Sequence, residues 1–350
     1  MSGGVDSSVA AALLVEQGYD VVGLMLHMWS EQGAAANRCC TPDAQALARG
    51  VAQRLGIPFY VLDARERFKT QVVDFLVAEY AAGRTPNPCL QCNRHLRFGY
   101  LLDYSRSLGA SKLATGHYAR VGAPEHPGAP YRLLRGLDPA KDQSYVLHVL
   151  GQAELAAAVF PLGDFAKSRV RAMALERNLP VAGRPDSQDL CFVGNGDYRR
   201  FLREHAPDAL RPGPVVDRTG RVLGTHAGLP LYTVGQRKGL PLHGPEPLYV
   251  LDLDTAHNTL VLGTRDELGR SALLARGMHY VSGVTPAGPI RVTARIRYKA
   301  SEVDATLTPL GPAEARFDFD VPLRDITPGQ GVVAYAGDEV IGGGLIAAAA

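Results

Sequence analysis

Two stretches of this sequence carry residues whose types and spacing could do chemistry. The first is Ser2-Gly3-Gly4-Val5-Asp6-Ser7-Ser8, which opens straight into the apolar run Val9-Ala10-Ala11-Ala12-Leu13-Leu14. Residues without bulk let backbone N–H groups close around an anion, and the helix that follows points its positive end at the same spot. The adjacent glycines admit backbone angles that other residues resist. Ser2, Ser7 and Ser8 add hydroxyl donors, and Asp6 could hold a magnesium ion against a row of phosphates. Short Gly/Ser/Asp runs are commonly no more than a serine-capped helix after a tight turn. Here every position suits phosphate. The loop is not a Walker A sequence, because Gly-Lys-Ser/Thr is absent and no lysine reaches for a γ-phosphate.

The second stretch is Gly83-Arg84-Thr85-Pro86-Asn87-Pro88-Cys89-Leu90-Gln91-Cys92-Asn93. Two prolines stiffen the approach, and Cys92 stands directly before a helix expected from Asn93 to Leu108, the position where a helix end favours a thiolate. A further cysteine, Cys191, lies in Asp186-Ser187-Gln188-Asp189-Leu190-Cys191-Phe192. One CxxC reads as a metal half-site, a redox pair, or a catalytic thiol beside a bystander. Adding Cys39-Cys40 gives four formal zinc ligands, although adjacent cysteines rarely chelate one tetrahedral ion and no second CxxC exists. An iron–sulfur site on three cysteines is another reading. The pattern alone leaves these open.

Composition bounds the rest. At 350 residues the chain is long enough for two or three domains. A net charge of +2 announces no general nucleic-acid field, so any such site must be a local patch. Five cysteines, an odd number, and no signal-peptide pattern favour a reducing cytosol over a disulfide scaffold. No apolar run approaches the length of a membrane span. A soluble, cytoplasmic protein is expected.

The elements that must position these residues alternate. Asp20 to Leu26 and Ile57 to Leu62 read as buried strands, Phe68 to Tyr80 as an amphipathic helix, and Lys112 to Ala119 as a further strand. Thr41-Pro42 starts a helix with Thr41 as N-cap, ending at Gly56. This rhythm predicts an α/β fold with a doubly wound, mostly parallel sheet, whose ligands sit at the carboxyl ends of the strands. Leu26, Gly116 and His117 then border one crevice with the first loop. Such a loop normally follows a buried strand, yet only Met1 precedes Ser2. The first strand is expected to be missing, through a misplaced start or a truncated chain, leaving the N-terminal side of the loop unsupported. Past Pro212-Gly213-Pro214, short strands and turns replace the helices, and alternation over 291–299, 303–308, 315–321 and 332–336 predicts a small antiparallel β-barrel. The expected units are 1–203, a small central domain over 204–273, and a barrel over 274–350. In Arg291 to Lys299 the odd positions Arg291, Arg295, Arg297 and Lys299 place four cations on one face of a strand, a ladder that could follow a phosphate backbone. Arg169, Arg171 and Arg177, and the stretch Asp197 to Arg203, are further candidate patches.

The first loop resembles the pyrophosphate loop of the ATP pyrophosphatases, which adenylate a carbonyl oxygen and let a nucleophile displace AMP. The ordered set SGGVDSS, NPCxxCN, ATGHYA, KDQSY, SQDLCF, YTVGQRKG and RIRY is similar over essentially the whole chain to the bacterial tRNA-specific 2-thiouridylases, the MnmA family. That resemblance implies ATP-dependent replacement of O2 by sulfur at the wobble uridine, U34, in tRNAs for Lys, Glu and Gln, with magnesium and a persulfide donor such as a cysteine desulfurase or a sulfur-relay protein. It implies that Ser2, Gly3, Gly4, Val5, Asp6, Ser7 and Ser8 hold the ATP phosphates and that Leu26 and Gly116 line the adenosine. Asn87, Pro88 and Cys89 would meet the target base. His117, Lys141, Asp142, Gln143, Arg297, Tyr298 and Gln330 would contact tRNA. Cys191 would carry the persulfide and Cys92 would be the second catalytic thiol. Some relatives have aspartate where Cys89 stands, so a thiol is not required there. Two other classes compete: a different adenylating ligase, which would not need Cys92 and Cys191, and a non-catalytic tRNA-binding protein, which would not turn over ATP.

Overall fold

The computed structural model describes residues 1–31, 41–185, 190–242 and 246–350. Cys39, Cys40 and the Asp186-Ser187-Gln188-Asp189 stretch lie outside the described residues. The first helix, α1 (Val5–Glu16), starts at Gly4 and buries Val9, Ala10 and Leu13 against Val170, Met173 and Ala174 of the helix Lys167–Glu176. Strand β1 (Gly23–His27) follows. Helix α2 (Pro42–Leu55) begins and ends as its sequence predicts: the Thr41 side chain accepts the Ala44 N–H at 3.1 Å, and Gly56 closes it at φ 69°. Strand β2 (Phe59–Asp63) pairs with β1 in parallel, Gly23 opposite Phe59 and His27 opposite Asp63.

Four short strands come next: β3 (Leu113–Ala114), β4 (Ala119–Gly122), β5 (Arg132–Arg135) and β6 (Ala158–Val159). β3 and β6 pair in parallel, so the parallel strands described in the N-terminal domain form two separate pairs. Between them lies a cavity of about 490 Å³, lined by Gly23 and Leu24 of β1, Leu113 and Ala114 of β3, Ala10 and Leu14 of α1, and Leu101. This is the slot where a central strand would sit, and its absence explains why β3 is so short. The expected strand over Lys112–Ala119 instead turns after Ala114. The start of the loop does not hang free: the Met1 amino group lies in the slot and donates to the Leu24 carbonyl, as a parallel strand would. Burial, with Arg97 nearby, lowers that amine to about 5.

The helix expected over Phe68–Tyr80 is a composite of Arg65–Phe68, a wide π turn over Lys69–Val73, and Asp74–Ala81. The next begins earlier than expected, at Pro88, with Asn87 as N-cap accepting the Cys89 N–H at 3.1 Å, and it passes through a π segment over Cys92–Leu101. Proline at the first helical position explains the early start. Cys89, not Cys92, therefore sits at the helix end.

The central unit is a four-stranded sheet: β7 (Gly213–Val216), β8 (Val222–His226), β9 (Tyr249–Asp254) and β10 (Thr259–Gly263), in the order β8-β7-β10-β9. The C-terminal unit is a closed antiparallel barrel of β11 (Arg270–Tyr280), β12 (Ile290–Arg295), β13 (Val303–Gly311), β14 (Glu314–Leu323), β15 (Gly331–Ala336) and β16 (Glu339–Ala349), with β16 returning to pair with β11. Two expected boundaries fall inside elements: 273/274 cuts β11, and 203/204 cuts the helix Tyr198–His205.

The expected cation ladder does not form. β12 stops at Arg295, so Arg297 and Lys299 leave the strand. Arg291 pairs with Asp320 at 2.6 Å. Arg295 turns inward, 11% exposed, onto Glu302 at 2.6 Å and Asp142 at 3.4 Å. Glu302 also receives Arg135 of β5, whose guanidinium lies 3.7 Å from the centre of the Tyr335 ring.

That network is one seam between the barrel and the N-terminal domain. Another is β5 on β16, Leu134 opposite Glu339. A third holds the loop before Cys89: Gln330 Nε2 donates to Thr85 O at 2.9 Å, Thr85 N to Pro328 O at 2.8 Å, and Tyr145 Oη to Gly331 O at 2.9 Å. Gly329 is required at this contact, since it has φ 90° and a Cβ would come within 2.9 Å of the Thr85 nitrogen.

Two expectations follow. A segment of about six to eight apolar residues ahead of Met1, the span of a buried strand, should fill the slot and raise the melting temperature; an unchanged melting curve would show that the slot does not limit stability. The second concerns pH. His148 is buried, with Nδ1–H donated to the Tyr145 carbonyl at 2.7 Å, and burial lowers it from 6.5 to about 4. The unfolded chain therefore takes up that proton first, so stability is full above about pH 6.5 and falls progressively toward pH 4. His148→Asn should flatten part of that slope in melting temperatures measured against pH.

Candidate active site

The phosphate loop is built by its own side chains. Ser2 N donates to Ser7 Oγ at 3.1 Å, the Ser2 and Ser7 hydroxyls lie 3.2 Å apart, and Ser8 Oγ donates to Gly4 O at 2.8 Å. Gly3 has φ 70°. Gly116 backs onto the loop so closely that a Cβ would lie 2.8 Å from Ser7 N. Ser2 and Ser7 of the loop, with Leu26, Gly116 and Arg97, line the slot described above, whereas Gly3, Gly4, Val5, Asp6 and Ser8 are not among its lining residues.

Asp6 is held from two sides. Lys167 Nζ donates to its two carboxylate oxygens at 2.6 and 2.8 Å, and Tyr118 Oη donates at 2.7 Å. Lys167, Tyr118 and Arg184, whose Nη1 donates to Gly3 O at 2.6 Å, escape the sequence reading. Each is remote in the chain from the loop it touches, and no local pattern marks it. The other cations near Lys167 are committed elsewhere: Arg177 to Glu16 at 2.7 Å, Arg171 to the Arg184 carbonyl at 3.1 Å, and Arg169 to Glu176. The patch expected from them is a set of internal contacts.

The described cysteines Cys89, Cys92 and Cys191 are exposed, buried and half-buried in turn. Cys92 and Cys191 share one apolar cluster with Met28, Leu96, Phe192 and Val193. Met28 also lines the cavity at the phosphate loop, so the two sites adjoin. Among the described residues, the side chains that converge as three metal ligands are Glu31, Glu204 and His205, and the Arg200 guanidinium already bridges the two carboxylates. The three thiols do not converge on one point as ligands of a single metal ion.

The residues expected to touch tRNA divide. Asn87, Pro88 and Cys89 form the rigid start of the helix, held by Gln330 through Thr85. His117 is buried, its Nδ1 2.8 Å from Thr115 Oγ1, and burial plus Arg97 holds the imidazole well below its usual range, hence neutral. Asp142 is buried and accepts from Gly136 N at 3.1 Å, Ser144 N at 3.0 Å and Ser144 Oγ at 2.9 Å. Gln143 accepts the Tyr118 N–H at 3.1 Å. His117 and Asp142 are buried, and Gln143 is half-buried. Lys141 precedes them, half-buried. Arg297 donates to Val234 O at 3.1 Å and pairs with Asp325 at 3.5 Å, tying the loop over 233–242 to the barrel, and Tyr298 packs toward Tyr145.

Comparison with known proteins matches this architecture. Residues 1–195 match the family model described as the tRNA methyl transferase HUP domain, 199–264 the tRNA methyl transferase PRC-barrel domain, and 270–346 the aminomethyltransferase beta-barrel domain. The tRNA-specific 2-thiouridylase MnmA of Roseiflexus castenholzii is 48% identical over 99% of this chain and 98% of its own. That of Moorella thermoacetica is 49% identical over the same shares. Among solved structures, NMN synthetase from Francisella tularensis overlaps 57% of this chain and 68% of its own at 19% identity, with a TM-score of 0.34, a level that bears on neither fold nor activity. With three family domains in order and relatives nearly half identical from end to end, the chain belongs to the MnmA family of tRNA-specific 2-thiouridylases.

Proposed function

We propose that this enzyme thiolates C2 of the wobble uridine, U34, of tRNA at the expense of ATP, releasing AMP and pyrophosphate. The observation that carries this reading is the shared wall: Met28 borders both the cavity at the phosphate loop and the cluster of Cys92 and Cys191. Activation and sulfur delivery must act on one carbon in succession, and here their machinery adjoins. Methyl transfer, which the family-model descriptions mention, needs neither a loop for pyrophosphate nor a pair of thiols.

The chemistry explains the parts. The C2 carbonyl of uridine is urea-like and a poor electrophile. Adenylation of O2 turns it into a leaving group, and sulfur then adds at C2 and expels AMP. Ser2, Gly3, Gly4, Val5, Asp6, Ser7 and Ser8 would hold the phosphates, with adenosine against Leu26 and Gly116. ATP would arrive as its magnesium complex, with Asp6 the side chain able to take the ion and Lys167 then released toward the phosphates. Cys191 carries the persulfide. Its terminal sulfur attacks C2 and Cys92 cleaves the remaining S–S bond, or Cys92 attacks first and frees the sulfur. Either way a Cys92–Cys191 disulfide is left for an external thiol to reduce.

The base must leave the anticodon stack to reach these thiols, and Asn87, Pro88 and Cys89 are placed to receive it. The half-buried Lys141, Arg297, Tyr298 and Gln330 are the candidate tRNA contacts, for the Lys, Glu and Gln acceptors. Among the described residues no helix is long and apolar enough to cross a membrane, and persulfide chemistry on cysteine suits a reducing cytoplasm holding a persulfide donor.

Incubation with tRNA, ATP, magnesium and a persulfide donor should give AMP, pyrophosphate and 2-thiouridine by nucleoside mass spectrometry. Cys92→Ser and Cys191→Ser should each abolish 2-thiouridine while some tRNA-dependent AMP persists, and Cys89→Ser should keep substantial activity. ADP as the main product, or thiolation surviving Cys191→Ser, would overturn the reading.

A further inference from the structure

The segment that carries Cys191 is anchored on both sides. Upstream, Arg184 donates to the Gly3 carbonyl of the phosphate loop at 2.6 Å. Downstream, three residues past Cys191, Gly194 N donates to Glu31 Oε2 at 2.6 Å. Glu31 stands four residues beyond β1, and its side chain is 6% exposed. The same carboxylate receives both arms of Arg200, at 2.5 and 3.1 Å, and His205 Nε2 at 3.1 Å. Arg200 Nη2 in turn donates to Gly194 O at 3.1 Å, so both backbone groups of Gly194 are engaged. Burial by itself raises the Glu31 carboxyl, but the donors from Arg200, Gly194 and His205 outweigh it and keep it below its usual range, hence ionised. Around the carboxylate, Trp29 meets Phe201 and His205 edge-on, and Phe192 meets Phe201.

An ionised carboxylate buried at this point is costly unless its position matters or its donors are complete. Gly194, Arg200 and His205 belong to the stretch just after Cys191, whereas the segment of Glu31 leads back through Met28 to the cavity at the phosphate loop. We infer that Glu31 is a positioning residue for Cys191: by fixing Gly194 it holds the half-buried thiol in the cluster beside Cys92 and in register with the site where O2 is activated. This rests on reading Cys191 as the persulfide carrier. Glu31 itself touches no reacting atom. A thiol displaced by an ångström or so loses its line of attack, at a cost far above that of a missing surface contact.

Glu31→Gln keeps the shape and removes the charge. In the full-length protein it should leave tRNA-dependent AMP formation within about twofold of wild type while 2-thiouridine formation falls about tenfold or more. Iodoacetamide labelling of Cys191, followed by peptide mass spectrometry, should become faster as the segment loosens. Glu31→Asp should recover part of both. Unchanged thiolation and unchanged labelling in Glu31→Gln would overturn the inference, and so would equal losses of AMP formation and thiolation, which mark a general loss of structure. If Glu31→Gln does not fold, His205→Gln decides: a smaller shift of the same kind supports the role, and no shift overturns it. Thiolation surviving Cys191→Ser is a separate result and would remove the carrier rather than its anchor.

Discussion

A buried charge network sets the relation between the two halves of this molecule. Asp142 and Glu302 face Arg135 and Arg295 at the junction of the N-terminal domain and the barrel, with Tyr335 beneath the guanidiniums. Burial of such a set is close to neutral overall, but removing one member leaves the others uncompensated at a cost of about 3–5 kcal/mol. It therefore selects one arrangement more than it adds stability. With that arrangement set, Gln330, Pro328 and Gly331 meet Thr85 and Tyr145, and the rigid approach to Cys89 and Cys92 is held against the barrel. Ser144 extends the network to Tyr145 by sequence, and Gln143 extends it to Tyr118, whose hydroxyl reaches Asp6. A line of contacts thus joins the barrel, the approach to Cys89 and the phosphate loop.

Much of this was legible in the chain where local rules decide. Thr41, Pro42 and Gly56 delimit α2 because capping is a matter of a few neighbouring residues. The phosphate loop declares itself by seven adjacent residue types, and the barrel by alternation. Errors arose where a local pattern had two outcomes settled at long range. Arg291 to Lys299 alternates well enough for a strand, yet Glu302 and Asp142 draw Arg295 inward and the strand ends there. Asn87-Pro88 carries the helix start, an N-cap followed by proline at the first helical position, so the start expected at Asn93 is five residues late. Lys167, Arg184 and Glu31 were invisible, since each acts on a residue far away in sequence.

Glycine marks the tightest approaches. Gly116 against Ser7 and Gly329 against Thr85 both leave no room for a Cβ, one beneath the phosphate loop and the other beneath the approach to the thiols. Both are places where one backbone must lie directly on another, so that the loops are located by main-chain contact and not by side chains that can swing. The side chains around the sites are correspondingly committed: Arg97 and Thr115 to His117, Lys167 to Asp6, Arg200 to Glu31. Reorganisation on binding would then proceed by exchange of partners rather than by recruitment of idle groups.

The way the barrel closes has a consequence for the order of assembly during synthesis. β16 supplies the hydrogen bonds that complete β11, β15 and β5, and it is made of residues 339–349. While those residues are still within the ribosome, β5 has no partner beyond β4, and the neighbouring β15 and Gln330 have no closed barrel to hold them. The nucleotide-facing half can collapse early around its helices, since domains tend to fold as they emerge, but the support for the thiol-bearing approach waits for the last strand. A nascent chain is thereby kept from completing the approach to its thiols before the barrel that supports it has closed.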